Sequence, residues 1–268
     1  MNRKTVYTIF ALAIAIVVYF FEAYQKDEEK KTIVNKGGAI KENTNTNYLP
    51  TSTTGQIVHH QGYSLSYSEQ HEQAEWVAYE LKKSHLLQNE FKRPYFEIDP
   101  AVSSGAAHWR NYKKSGYDRG HLCPAGDRRY TYEAFNETFL TSNISPQEHG
   151  FNSGIWNALE QKVRYWAKRY DGVFVVTGGV LNGNMNTIGD EKVSVPNSFY
   201  KVVYDAGKGN PRMIGFIIPH QDTNRSLREF VVPIDQIEQQ TGIDFFPKLE
   251  DKIENRLEAR SQDSQWKF

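Results

Sequence analysis

The apolar residues of this chain fall into short, separated runs, and the longest run lies near its beginning. Residues Val6 to Phe21 are predominantly apolar and follow the basic residues Arg3 and Lys4. A basic start before an apolar run is typical of a secretory signal, and positive charge favours the cytoplasmic side. The sequence after Phe21 lacks a small-x-small cleavage pattern, so we expect residues 1–24 to form an uncleaved signal anchor. A cleaved signal peptide and a buried core helix are the alternatives.

The next stretch, Gln25 to Asn47, is polar and has no apolar period. Such a composition is typical of a flexible tether. We therefore expect the folded domain to span residues 48–268 and to lie outside the cytoplasm, either anchored in the cell envelope or secreted. The membrane would then be a partner only through the N-terminal segment.

Within the domain, the apolar positions predict a mixture of strands and helices. Gln56 to Tyr67, with Gly62 at the turn, is expected to form a β-hairpin. Gln73 to Leu81 is expected to form a helix, because its apolar residues recur at helical spacing. These apolar residues are Ala74, Val77, Ala78 and Leu81.

Three later apolar runs predict strands, because they are short and rich in β-branched and aromatic residues. They are Val173–Thr177, Phe199–Tyr204 and Met213–Ile218. Pro233 to Gln240 predicts a short helix that ends near Gly242, and Glu250 to Phe268 predicts a short surface helix. Because strands and helices alternate without a regular βαβ rhythm, we expect an α+β fold with a mainly antiparallel central sheet flanked by helices.

The composition indicates an apolar core, a local excess of positive charge and a single thiol. Aromatic residues make up 13% of the 268 residues, which is enough bulky apolar surface for a core, and the formal net charge is zero. The stretch from His108 to Tyr170 nevertheless holds ten Lys or Arg against six Asp or Glu, which fits a polyanionic partner. Cys123 is the only cysteine, which excludes an intramolecular disulfide and a cysteine zinc site. A nucleophilic thiol remains an alternative.

The segment around Asp118-Arg119-Gly120-His121 is the sharpest candidate for chemistry. His121 can accept a proton near neutral pH, as hydrolysis of a phosphodiester by water requires. Arg119 can bind phosphate oxygens through its planar fork, and Gly120 would let the backbone approach a substrate. Taken alone, the tetrapeptide is equally consistent with a surface turn.

Two asparagines follow in polar segments before a helix that is expected to begin near Ile155. An amide oxygen of Asn143 or Asn152 can serve as a ligand of magnesium, which prefers oxygen donors and keeps several waters. The alternative is that both asparagines cap turns.

The helix that follows has an apolar face and a polar face. Its apolar stripe consists of Ile155, Leu159, Val163, Trp166 and Tyr170. Trp156, Glu160 and Arg164 share a neighbouring face at four-residue spacing, so a carboxylate and a guanidinium could bind metal-bound water and phosphate. The alternative is an ordinary surface ion pair.

In combination, these segments resemble the DNA/RNA non-specific endonuclease family of ββα-metal nucleases. The matching elements are Asp118-Arg119-Gly120-His121, Ser142-Asn143-Ile144-Ser145-Pro146-Gln147, and Asn152 followed by Trp156 and Leu159-Glu160. Softer matches extend the likeness over Gln56 to Leu249, nearly the whole domain. The ordered spacing makes this resemblance specific.

The resemblance implies a metal-dependent endonuclease that hydrolyses DNA and RNA with little sequence preference. It implies that His121 is the general base and that Asn152 is the sole direct protein ligand of Mg2+, or of Mn2+ in its place. It further implies that Glu160 holds metal-bound waters and that Asn143 orients the site near the base. The residues expected to stabilise phosphate and the transition state are Arg119 and Arg164.

Several histidines and two other functions remain as alternatives. His59 and His60 are expected to be solvated strand residues, because no third ligand stands at a spacing that suits a metal. His108 and His149 are candidates for substrate contact, and His220 is unassigned. A phosphodiesterase for a small or lipid substrate and a membrane-tethered nucleic-acid-binding protein without activity are the competing functions. The oligomeric state does not follow from the sequence.

Overall fold

An antiparallel sheet of seven strands forms the centre of the part of the chain that the structure describes. The structure is a computed structural model and describes residues 46–268 except 88, 208 and 262, together with residue 16. The strands are β1 (Ile57–His59), β2 (Ser64–Ser68), β3 (Gln73–Lys82), β4 (Asp118–His121), β5 (Ile144–Gln147), β6 (Gly172–Gly179), β7 (Asn186–Ile188), β8 (Val193–Val195), β9 (Ser198–Asp205), β10 (Arg212–Pro219) and β11 (Val231–Val232). The large sheet has the order β1-β2-β3-β6-β9-β10-β11, while β4 pairs with β5 and β7 with β8.

Helices pack on both faces of this sheet, among the described residues. They are α1 (Tyr132–Glu137), the single turn α2 (His149–Phe151), α3 (Asn157–Tyr170), α4 (Ile234–Thr241) and α5 (Asp251–Glu258). One core cluster joins α3 to the face of the sheet that carries Val175 and Phe216, and a second joins α4 and α5 to the face that carries Val176 and Val202. The predicted α+β class with a mainly antiparallel sheet is therefore confirmed.

Most of the predicted elements of the large sheet are present. The hairpin predicted from Gln56 to Tyr67 is formed by β1 and β2, which pair antiparallel with Ile57 opposite Ser66. The three later strands are β6, β9 and β10, each longer by a few residues than its apolar run. The short helix α4 ends where Gly242 adopts a left-handed backbone with φ 71°, as its position after the helix predicted.

The helix predicted for Gln73 to Leu81 is wrong, because this segment forms the ten-residue strand β3. It lies between β2 and β6, and its first seven residues are all buried. A strand that is covered on both faces carries apolar residues on both faces, so its two-residue alternation is hidden. The helical spacing of its apolar residues was a coincidence of this continuous burial.

The C-terminal segment contains the predicted short helix, α5, but it is not confined to the surface. Leu257 at the end of α5 is buried, and the Trp266 ring packs 4.7 Å from the ring of Trp166 in α3. The indole Nε1 of Trp166 also donates to the carbonyl oxygen of Lys267 at 2.7 Å. The tail therefore completes the core beside α3.

Apart from residue 16, the predicted signal or anchor (residues 1–24) lies outside the described residues, as does nearly all of the predicted tether. Among the described residues, no helix combines the length and the apolar character that crossing a membrane requires. Tyr48 packs its ring 3.9 Å from that of Phe174, so the described fold begins close to this tyrosine.

Candidate active site

Strands β4 and β5 and the helix α3 form a small unit on one face of the large sheet. The two strands pair antiparallel, with Asp118 opposite Gln147 and His121 opposite Ile144. The motif that could have been a surface turn is thus a strand, not a loop. Gly120 is buried in it, and a Cβ atom at this position would collide with the side chain of Gln147. Tight packing against Gln147 therefore accounts for a glycine at this position.

His121, the predicted general base, lies in an aromatic surrounding. Its ring is 5.0 Å from that of Phe139 and 5.7 Å from that of Phe96. Its Nε2 atom has no hydrogen-bond partner among the described residues. Burial, reinforced by the positive charge of Arg93, lowers the pKa of His121 to about 4. The imidazole is therefore neutral at physiological pH, with a ring nitrogen available for a proton.

Arg119 lies two residues before His121 in β4, so both side chains are on the same face of the strand. Its guanidinium carbon is 5.3 Å from the centre of the Phe96 ring, which also borders His121. The Nε atom of Arg119 is buried and has no hydrogen-bond partner among the described residues. A permanent positive charge with a free donor thus stands beside the histidine.

Asn152, the predicted metal ligand, is attached to the other face of β4 through Asp118. Its Nδ2 atom donates to Oδ2 of Asp118 at 3.0 Å. Because a carboxylate only accepts hydrogen bonds, this contact fixes the amide so that Oδ1 of Asn152 faces away from Asp118. Nδ1 of His149 also lies 2.8 Å from the same Asp118 oxygen. The Asn152 oxygen is therefore held in one orientation, and a hard cation prefers such an oxygen donor.

The chain enters α3 through an irregular turn that carries Asn152. Residues Asn152–Trp156 form a π-helical turn with a kink at Gly154, between α2 and α3. Such turns are frequent at functional sites, because they displace one turn of a helix from regular spacing. Glu148 caps α2 by accepting from the backbone N–H of Phe151 at 2.9 Å.

Glu160 and Arg164 follow on α3 and form an ion pair four residues apart, but their side chains are only 14% and 25% exposed, so the pair is not on the open surface. Their side chains come within only 3.9 Å, whereas Nη1 of Arg164 lies 2.7 Å from Oδ1 of Asp127. Asp127 is fully buried and accepts a second hydrogen bond from the hydroxyl group of Tyr79 at 3.1 Å. The loop that follows His121 is thus attached to α3 through Asp127.

Lys201, which the sequence analysis missed, is the buried cation behind Glu160. Its Nζ atom donates to Oγ1 of Thr177 at 3.0 Å and lies 4.5 Å from the centre of the Trp156 ring. Burial lowers the pKa of Lys201, and the charge of Glu160 opposes that effect. Burial likewise raises the pKa of Glu160, and Lys201 opposes it. Each of these two groups therefore favours the charged form of the other.

Asn143 is placed behind the base and not in the cleft. It is fully buried, its Oδ1 accepts from the backbone N–H of Cys123 at 2.8 Å, and its Nδ2 donates to the carbonyl oxygens of Cys123 and Thr138. All of these partners are backbone groups next to the segment that follows His121. Asn143 therefore positions the backbone after the base.

The lone thiol and two histidines have structural surroundings. Cys123 is buried, and burial raises the pKa of its thiol to about 12, which does not suit a nucleophile. The expectation that His60 is solvated is wrong, because its side chain is 6% exposed and its Nε2 lies 2.8 Å from buried Asp99. His220 accepts from the backbone N–H of Glu148 at 2.7 Å and thereby supports the turn before α2.

Most of the predicted site residues belong to one connected unit. Asp118 joins β4 to Asn152, and Asp127 joins the loop after His121 to Arg164. The residues of this unit to which sequence reasoning gave no role are Arg93, Asp118, Asp127 and Lys201. Only Asp118 stood inside a recognised motif. A charged residue inside the apolar run of β9 was the one signal for Lys201.

Comparisons with known proteins agree with this geometry. The family model described as DNA/RNA non-specific endonuclease matches residues 40–252 of the chain. The mitochondrial nuclease EXOG of Danio rerio is 34% identical over 203 residues, which are 69% of this chain and 59% of that protein. Mitochondrial endonuclease G of Homo sapiens is 30% identical over 209 residues, which are 72% of this chain and 70% of that protein. The chain spans 56–59% of the length of the EXOG relatives that it matches.

A bacterial relative and a solved structure point the same way. A nuclease of Nostoc sp. is 32% identical over 210 residues, which are 74% of this chain and 76% of that protein. A crystal structure of the EndoG/EndoGI complex superposes with a TM-score of 0.69 at 30% identity and covers 74% of this chain and 88% of that chain.

Proposed function

The chain belongs to the DNA/RNA non-specific endonuclease family, and we propose that it is a metal-dependent endonuclease that hydrolyses DNA and RNA with little sequence preference. Its fold is the α+β fold of the ββα-metal nucleases, as the sequence predicted. The observation that carries the proposal is the placement of two atoms on one short strand and the helix turn bonded to it. They are Nε2 of His121, which has no hydrogen-bond partner among the described residues, and Oδ1 of Asn152, whose amide is oriented by Asp118.

In the proposed reaction, His121 takes a proton from the attacking water. The imidazole is suited to this step because burial keeps it neutral, so the ring nitrogen is free at physiological pH. Arg119, on the same face of β4, would bind a phosphate oxygen and offset negative charge that develops on phosphorus. Asp118 acts through Asn152 by holding its amide in one orientation.

Asn152 would hold the metal ion, with waters filling the remaining positions, as Mg2+ or Mn2+ commonly allows. When bound, the ion supplies positive charge at the scissile phosphate and lowers the pKa of a water that it carries. Glu160, one helical turn beyond Trp156, would accept hydrogen bonds from such waters. The charge of Lys201 opposes the rise that burial causes in the pKa of Glu160, and Arg164, fixed by Asp127, would add a second cation for phosphate.

A polymeric substrate is favoured over a small or lipid phosphodiester by the charge near the site. A cavity of about 620 Å3 is lined by Asp190, by Glu191 and by exposed basic residues of the loop before β4. The basic residues are Arg110, Lys113 and Lys114. Such cations contribute sequence-independent, salt-sensitive affinity for a nucleic-acid backbone.

The test is an incubation of the protein with supercoiled plasmid DNA and with a long RNA, with Mg2+ and with chelator. We expect nicking and then degradation of both polymers in Mg2+ only, and loss of cleavage in His121→Ala. Asn152→Ala should need more Mg2+ for half-maximal rate, whereas Asn182→Ala, outside the site, should not. Cleavage of a small phosphodiester but of neither polymer would favour the competing function of a phosphodiesterase. Binding of nucleic acid without cleavage would favour the competing function of an inactive binding protein.

We also propose that the nuclease domain works outside the cytoplasm. The support is the basic and apolar N-terminal sequence, Arg3 to Phe21, and the polar stretch behind it. Fractionation of cells that express the full chain should place it with the membrane, and sequencing should find an intact N-terminus. A soluble form that starts near Ala23 would show a cleaved signal, and recovery from the cytosol would contradict export.

A further inference from the structure

On the face of the sheet opposite the active site, helices α4 and α5 bring three carboxylates together. Asp235 and Glu238 stand three residues apart on α4, and Glu258 is the last residue of α5. One oxygen atom of each lies within 4.8 Å of the others. These residues belong to neither motif of the proposed active site.

Glu258 is the unusual member of this group. The residue is only 6% exposed, and its Oε1 atom is buried without a hydrogen-bond partner among the described residues. One turn earlier on the same helix, Oε1 of Glu254 is buried in the same way. Buried carboxylates are normally paired or bound to a metal, because an isolated buried charge is unfavourable. Something positive is therefore expected at this position.

The charged groups that act most strongly on Glu258 are acidic. Besides burial, the groups that raise its pKa, to about 8, are four other carboxylates. They are Glu238, Glu254, Asp235 and Asp244. One carboxylate oxygen of Glu238 accepts a hydrogen bond from the backbone N–H of Phe245 at 2.9 Å, and this contact holds the Glu238 side chain in place. The strongest electrostatic influences on Glu258 are thus all of one sign.

We propose that Asp235, Glu238 and Glu258 form a second metal site, which binds a divalent cation of the size of calcium. Carboxylate oxygens are the ligands that hard cations take, and Asp235 is exposed, so water can complete the coordination shell. Calcium takes about six to eight oxygen ligands in a flexible geometry, whereas magnesium demands a near-ideal octahedron and is usually bound through one or two carboxylates. A group of three carboxylates whose oxygens lie within 4.8 Å of one another therefore favours calcium.

The consequence of the site would be structural. A cation bound by both helices would hold α5 against α4, and α5 leads directly into the tail that packs Trp266 on α3. Cation binding would therefore raise the stability of the fold without a role in hydrolysis. The inference does not depend on the proposed nuclease function.

The experiment uses the full chain with Asn152→Ala, so that the proposed active-site ligand is removed, after treatment with a calcium chelator. Calorimetric titration with CaCl2 should give one bound ion per chain. The melting temperature should rise by roughly 5–10 °C at a hundredfold excess over Kd. Mg2+ should bind at least tenfold more weakly.

Glu258→Gln and Asp235→Asn should each weaken calcium binding at least tenfold, and Glu90→Gln, an exposed carboxylate outside the group, should not. Both test variants are nearly isosteric and remove like-charge repulsion, so they should fold in chelator. Unchanged calcium binding in Glu258→Gln would overturn the site. A melting temperature that depends on pH but not on calcium would overturn it too, because a proton would then occupy the group.

Discussion

Buried carboxylates have different charged neighbours on the two faces of the central sheet. On the face of α3, carboxylates alternate with cations: Asp127 binds Arg164, and Glu160 stands against Lys201. On the face of α4 and α5, the charges that act most strongly on Glu258 are all negative. The first arrangement is complete within the chain, and the second calls for a ligand. A buried carboxylate therefore indicates function only once the charges of its neighbours are known.

The largest expected effect lies on the α3 face, at His121. His121→Ala should lower kcat by about 10²–10⁴, the usual contribution of a positioned general base. The melting temperature should change little, because Nε2 of His121 bonds no described residue. Glu258→Gln, on the other face, is the matched control and should cleave at the normal rate. Near-normal turnover of His121→Ala would remove the assignment of the base.

The next effect tests whether the alternating charges stabilise the fold. Lys201→Met should lower the free energy of unfolding by about 3–5 kcal/mol, because it leaves buried Glu160 without its cation. Urea unfolding should show part of this loss restored in the double variant Lys201→Met/Glu160→Gln. Lys168→Met, at an exposed position of α3, is the control. Equal losses in the single and double variants would mean that the two charges act independently.

A smaller effect is expected in the pH profile, because the pKa of His121 is lowered to about 4. At pH 5 the imidazole would then be about 90% neutral, against about 3% for an ordinary histidine with a pKa near 6.5. At a constant metal concentration, the contribution of neutral His121 to kcat/KM should therefore persist down to pH 5. An inflection near pH 6.5 would contradict this.

The same pKa also predicts an effect on stability. The unfolded state binds the His121 proton more tightly than the native state, so native His121 binds fewer protons between pH 4 and 6.5. The free energy of unfolding should fall as the pH is lowered through that window, and His121→Ala should flatten this part of the profile. Thermal melts of both proteins from pH 4 to pH 7 provide the measurement.

The smallest effect is expected on the face of the sheet that carries α4 and α5. In the presence of a chelator, Glu258→Gln should melt at the same temperature as the unmodified chain or slightly higher, because a repelling charge is removed. The corresponding change on the other face, Glu160→Gln, should lower the melting temperature. If both variants were destabilised alike, the contrast between the two faces would not hold.

The sequence predicted the elements whose signals are local. The residues from Asp118 to Arg164 lie close along the chain, and their types and spacing pointed to the base and the metal ligand before the geometry was known. The roles of these residues stay predictions, while the family and the fold are established. The α4 helix was equally visible, because Gly242 follows it at the position where a helix ends.

What escaped prediction depends on contacts that are distant in sequence. Lys201 is brought behind Glu160 only by the pairing of β9 with β6, so no local pattern reveals it. The strand β3 was missed because neighbours on both sides bury it completely, which removes the alternation that identifies a strand. Trp266 lies after residue 252, where the family match ends, yet it is part of the core.

Because Cys123 is buried, the reactivity of its thiol can report on local opening of the structure. The chain has one thiol, and that thiol is inaccessible and strongly disfavoured as a thiolate in the native state. Thiol-reactive reagents should therefore label the chain only when the segment after β4 detaches, so the labelling rate measures how often this happens. A cysteine introduced at an exposed position would, in turn, be labelled selectively, and a fluorophore could be attached without removal of the natural residue.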